Sequence, residues 1–107
     1  MIRHIVMFKL KEFATPIEKQ DKMQEIKTRL EALKSKIDIL HKIAVDFNIN
    51  PTETWDLILT TEFDSLKDLD TYANHPDHVE ISKNIIGPVK IDRACVDYEF
   101  SDEVVDK

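Results

Sequence analysis

The sequence predicts an α+β domain in the order strand, helix, strand, strand, helix, strand. Three observations carry this expectation. Four segments alternate apolar and polar residues with a period of two, one segment repeats apolar residues at helical spacing, and Thr, Ser and Pro stand at helix-start positions. A chain of 107 residues holds one core, in which roughly two-thirds of the unfolded surface can be buried.

The first segment places Ile2, His4, Val6, Phe8 and Leu10 on one side and Arg3, Ile5, Met7 and Lys9 on the other, a strand with His4 on its more apolar face. Thr15-Pro16-Ile17-Glu18 reads as a capping box with proline at the first helical position. Met23, Ile26, Leu30, Leu33 and Ile37 then form a continuous apolar stripe, too short for a sustained coiled coil. From Ile39 the period returns to two, with His41, Ile43, Val45, Phe47 and Ile49 on one side. The turn Asn50-Pro51-Thr52-Glu53 leads to a third strand carrying Trp55, Leu57, Leu59, Thr61 and Phe63, so a hairpin is expected. Ser65 and Asp68 cap a second helix whose inward positions are Leu66, Leu69 and Tyr72 or Ala73. Pro76 restarts that helix and Gly87-Pro88 ends it. Val89 to Phe100 is a fourth strand with Ala94, Val96, Tyr98 and Phe100 on one face. Residues 101–107 form an acidic C-terminal tail, expected to be frayed.

This order is two split βαβ halves, a ferredoxin-like βαββαβ plan with a four-stranded antiparallel sheet. Its helices cover one sheet face, yet Ile5 and Met7 point to the other. A homodimer through sheet faces, related by a two-fold axis, is therefore expected.

The charge balance, 15 basic against 21 acidic residues for a net charge of -6, disfavours phosphate backbones and anionic lipid, so neither nucleic acid nor membrane is an expected partner. Strand-like sequence begins at Ile2 without a targeting segment, and the expected compartment is the cytoplasm. Cys95, the single cysteine, cannot form an intrachain disulfide or a Cys-rich metal site and is read as core filler. Gly87 is the single glycine, which excludes phosphate-cradling loops and dinucleotide fingerprints; no cofactor is expected.

Titratable groups are concentrated in Tyr72-Ala73-Asn74-His75-Pro76-Asp77-His78. Pro76 suits the first position of a new helix, which puts His75 at the N-cap and His78 in the first turn. His78 shares a stripe with Ile81 and Ile85 and so points inward. The macrodipole and burial both favour its neutral form, able to accept a proton next to a carbonyl, while Tyr72 could donate to a developing oxyanion. The bland alternative is that His78 and Tyr72 satisfy each other in the core. His75 has the stronger architectural claim, as a cap, but stands with His4 among the candidate substrate-binding residues. His41, at the start of the second strand, is read as a surface residue. His75 and His78 with His4 or Asp77 could in principle form a metal set, but no His-Glu-x-x-His pattern is present and no metal is expected.

The opening Met1-Ile2-Arg3-His4-Ile5-Val6-Met7-Phe8-Lys9 and the Tyr-x-x-His-Pro-x-His run from Tyr72 to His78 resemble the stress-responsive A/B barrel (Dabb) family, with the domain expected over residues 1–100. The resemblance implies a dimeric α+β barrel with a cavity between sheet and helices in each subunit. A plant branch of that family includes polyketide cyclases that close an aromatic ring by aldol condensation without cofactor or metal. By resemblance to it, His78 would match the general base, Tyr72 the partner that holds the substrate carbonyl or orients the base, and His4 a pocket wall. The plant pattern also places a tyrosine on the first helix, and none occurs here between Thr15 and Lys36. Two functions follow as expectations. One is a cofactor-independent lyase or cyclase acting on a small carbonyl compound, with His78 and Tyr72 as catalytic residues; the other is a non-catalytic dimer, stress-associated or small-molecule-binding, with structural histidines.

Overall fold

The computed structural model describes residues 1–101; of the expected tail, residues 102–107 lie outside the described residues. Strand β1 (Ile2–Leu10) is followed by helix α1 (Pro16–Glu31), which tightens into a 3-10 turn over Ala32–Ser35. Strands β2 (Lys42–Phe47) and β3 (Leu57–Phe63) form the hairpin, and α2 (Leu66–Asn74) and α3 (Pro76–Ile81) lead through a π-helical turn over Ser82–Ile86 to β4 (Lys90–Glu99). The sheet is antiparallel throughout in the order β2-β3-β1-β4, the ferredoxin-like arrangement expected from the element order.

The helix-start signals act as their chemistry requires. Thr15 Oγ1 accepts from the Glu18 N–H at 3.2 Å, and Ser65 Oγ accepts from the Asp68 N–H at 3.1 Å. The α1 stripe of Met23, Ile26 and Leu30, continued by Leu33 and Ile37, is buried against Val6, Val45, Leu57, Leu59 and Phe63 of the sheet. That contact is the core.

Four local expectations are corrected. The second strand begins at Lys42 and ends at Phe47, and Ile49 is 95% exposed. Asn48 causes the ending, since its amide donates to the Asn50 carbonyl and its carbonyl accepts from the Asn50 N–H, curling the backbone out of the ladder. The third strand begins at Leu57, with Trp55 ahead of it. Leu66 is exposed rather than inward, because as the first residue after the Ser65 cap it lies at the open end of α2; Leu69 and Tyr72 carry the inward face, and Ala73 is exposed. Beyond α3 the π turn inserts one residue into the helical count, so the fully buried partner of Ile81 is Ile86, while Ile85 is partly buried against the core. That wide turn closes on Gly87, whose N–H reaches the Ser82 carbonyl at 2.9 Å. A Cβ at Gly87 would stand 2.9 Å from the Lys83 carbonyl oxygen, so glycine is required there by close approach.

Asp56 joins three elements just ahead of β3. Its carboxylate accepts from the Leu10 N–H and from Lys19 Nζ of α1, each at 2.7 Å. Burial alone would raise this carboxyl, but these two donors outweigh it and hold the group below the ordinary aspartate value.

Among the described residues, no element covers the face of the sheet turned away from the helices. Ile5 pairs with Val96 and Thr60, and Met7 with Ala94 and Ile58. On β4 that face exposes Val96 and Tyr98, at 54% and 41%. No helix of the described residues is long and apolar enough to cross a membrane.

Candidate functional site

On the helix-covered side, a cavity of about 370 Å³ opens between the sheet and the α2–α3 segment. His4 and Cys95 line it from β1 and β4, Leu30 from α1, and Tyr72 and His78 from the two sides of the Pro76 break. Three of the residues singled out in the sequence, His4, Tyr72 and His78, therefore meet in one space.

His78 is placed by the helix break. His75 ends α2 and caps α3, its Nδ1 accepting from the Asp77 N–H at 3.1 Å, and Pro76 holds the first helical position without needing a hydrogen-bond partner. The break leaves the Ala73 carbonyl free of the α2 ladder's continuation, and His78 Nδ1 lies 2.9 Å from it. A carbonyl can only accept, so Nδ1 carries the proton and Nε2 keeps its lone pair. Burial lowers the His78 pKa below 6.5, with His4, Arg93 and His75 adding to the shift and the Ala73 bond opposing it. The imidazole is neutral at physiological pH and basic at one nitrogen.

Tyr72 packs its ring against His78, centroids 4.5 Å apart, and against Phe63 at 5.1 Å. The residue is buried, and its hydroxyl has no hydrogen-bond partner among the described residues. Burial raises the phenol well above its ordinary value, so it remains a donor. His78 and Tyr72 do not satisfy each other by a hydrogen bond. That distinguishes the arrangement from the bland core pairing.

His4 is buried on the inner face of β1 and its Nδ1 bonds Asp97 Oδ1 across the β1–β4 ladder. Cys95, two residues before Asp97, is exposed on the cavity side and not core filler. Sequence reasoning does not single out Asp97 or Cys95 as site residues. The available signal is period two: with Ala94, Val96 and Tyr98 on one face, Cys95 and Asp97 must lie on the other, the face of His4. His75 lies at the helix junction rather than on the cavity wall, and His41 is exposed beside Asp64, 3.0 Å away.

These features define an α+β protein of ferredoxin-like topology with a histidine- and tyrosine-lined cavity between sheet and helices. The chain belongs to the Dabb family, the stress responsive A/B barrel domain, whose model matches residues 2–100. It is 31% identical over 99 residues to a stress-response A/B barrel domain-containing protein of Arabidopsis thaliana, a match that covers 92% of this chain but only 36% of that longer protein. A dimeric protein of unknown function and ferredoxin-like fold from Bacteroides fragilis is 47% identical, with a TM-score of 0.86 over 92% of this chain and 95% of that one. The hydroxynitrile lyase of Passiflora edulis shares the fold at 16% identity, with a TM-score of 0.76 over 97% and 96% of the two chains.

Proposed function

We propose that this protein is a cofactor-independent lyase or cyclase for small carbonyl compounds. The supporting observation is the cavity lined by His4, Tyr72 and His78, where His78 has a fixed tautomer and the buried Tyr72 hydroxyl has no partner among the described residues. Nε2 of His78 takes a proton from carbon next to a carbonyl, and the Tyr72 hydroxyl donates to the oxygen on which negative charge develops. His4, held by Asp97, forms the polar wall that orients the substrate. A cavity of about 370 Å³ suits a small ligand. The Passiflora enzyme lends the reading a fold-level analogy.

The working unit is a homodimer, two copies stacking the faces that carry Ile5, Met7, Val96 and Tyr98. The Bacteroides relative, described as dimeric at 47% identity, supports it. The exposed Cys95 thiol suits a reducing compartment such as the cytoplasm.

Deuterium exchange tests the chemistry. Small aldehydes, ketones and β-keto thioesters in heavy water should incorporate deuterium next to the carbonyl with the protein and not with His78→Gln. Absence of exchange across such a panel, with the same compounds still perturbing amide resonances around the cavity, would favour the second reading, a non-catalytic small-molecule binder. The observation on that side is that α1 contributes the aliphatic Leu30 to the cavity wall and carries no tyrosine.

A further inference from the structure

A second cluster bounds the same cavity. Antiparallel pairing sets His4 opposite Asp97 and Val6 opposite Cys95, so the side chains of His4, Cys95 and Asp97 share the inner face of β1 and β4. Cys95 Sγ lies 3.4 Å from His4 Nδ1 and 4.0 Å from Asp97 Oδ1. Asp97 Oδ1 contacts that same ring nitrogen.

A Cys-His-Asp nucleophilic relay needs the thiol and the carboxylate on opposite nitrogens of the imidazole. Here both converge on Nδ1, so no proton can pass through the ring from one to the other. Burial and Asp97 also hold the thiol protonated, against a smaller opposing effect of Arg93. The cluster is not an activated cysteine. Convergence of one nitrogen, one sulfur and one carboxylate oxygen on a common point is instead the geometry of ligands around a cation, and the donor atoms of all three lie within 4.8 Å of one another.

We propose that His4 Nδ1, Cys95 Sγ and the Asp97 carboxylate bind a divalent cation of the zinc class, with the fourth position open to the cavity. Tetrahedral zinc, with bonds of about 2.0 to 2.3 Å, separates its ligands by roughly 3.4 to 3.6 Å. The sulfur–nitrogen separation already fits, whereas the Asp97 oxygen, in hydrogen-bond contact with His4 Nδ1, must swing away from that nitrogen and toward the sulfur. Binding releases the Cys95 thiol proton and requires the His4 tautomer protonated on Nε2, so the His4–Asp97 hydrogen bond gives way to joint ligation. One imidazole, one thiolate and one carboxylate form a borderline-soft set that selects Zn²⁺ or Co²⁺ over Mg²⁺ and Ca²⁺. Three protein ligands and an open position are the pattern of reactive rather than structural zinc. This site shares the cavity and His4 with the carbonyl chemistry assigned to His78, but its test reads metal binding and not that chemistry.

Cobalt is the probe. Addition of Co²⁺ to the metal-free full chain should produce visible absorption of four-coordinate cobalt and a near-ultraviolet thiolate-to-cobalt band, saturating at about one ion per chain. Cys95→Ser should abolish the thiolate band, and Asp97→Asn should weaken Zn²⁺ binding by at least tenfold in calorimetry. Both positions are exposed, and circular dichroism confirms that the variants fold. His78→Gln should leave the spectrum unchanged. A spectrum without the thiolate band, or one that Cys95→Ser does not alter, overturns the site whatever deuterium exchange shows.

Discussion

The Tyr72 and His78 rings lie 4.5 Å apart at a tilt of 45°, although a helix end, a cap and a proline separate them in sequence. Neither supplies the other's hydrogen bond: His78 uses the Ala73 carbonyl, and the Tyr72 hydroxyl has no partner among the described residues. The consequences of these two side chains can therefore be measured separately.

Tyr72→Phe removes a buried hydroxyl that the described residues do not satisfy, at little change in shape. An unmet buried hydroxyl costs about 1–3 kcal/mol, so the variant should be as stable as the parent or more so. Its deuterium-exchange activity should nevertheless fall by roughly tenfold to a thousandfold, the range for loss of one oxyanion donor. Urea unfolding and exchange rates measured side by side check this; a loss of stability above about 1 kcal/mol would show that the hydroxyl has a partner in solution.

His78 gives stability a defined pH dependence. Its folded pKa is depressed below the unfolded value of 6.5, so between those two values the unfolded chain binds the extra proton. Stability is full above about 6.5 and falls as pH drops through the window, by at most about 1.4 kcal/mol per pH unit. Urea midpoints across this range should slope for the parent and flatten for His78→Gln. A parallel NMR titration should find the His78 imidazole neutral at physiological pH.

Asp56→Asn weakens the junction of β1, α1 and the start of β3. The amide keeps one acceptor oxygen for either the Leu10 N–H or Lys19, and loses the charge. A cost of about 1–3 kcal/mol is expected for this charge-assisted pair of bonds. Because the Asp56 carboxyl is held below its ordinary value, its contribution is present at neutral pH and disappears as pH falls through the acidic range, which acid unfolding of parent and variant will separate.

Val96→Lys places a charge on the outward sheet face, opposite Ile5. Light scattering should find the parent as a dimer and the variant as a monomer at micromolar concentration. A parent that scatters as a monomer would sink the proposed pairing of sheets.

Much of this architecture is legible in the residues because local and global signals agree. The β1 alternation separates His4, Val6, Phe8 and Leu10 from the outer face without error, and the α1 stripe marks the helix side of the core. The departures occur where side chains act on their own backbone or where a helix changes its count. Asn48 ends β2 early, and the π turn makes Ile86 the fully buried position beside a partly buried Ile85. In the site, the Tyr72–His78 arrangement is local and therefore readable from spacing and Pro76. The contact of His4 with Asp97 joins positions at opposite ends of the chain and depends on strand register, which no local pattern specifies.

The strand order leaves β4 at a sheet edge, with backbone groups available to another strand. Lys90, Asp92, Arg93, Asp97 and Glu99 distribute charges of both signs along that edge, and an added strand would have to accommodate them in register. Ala94, Val96 and Tyr98 of β4 instead share one sheet face. In the proposed pairing, association runs through a face, which closes when two copies meet, and not along an edge, along which copies could add without limit. The strand that contributes to the cavity wall thus also carries the charges that disfavour an added strand.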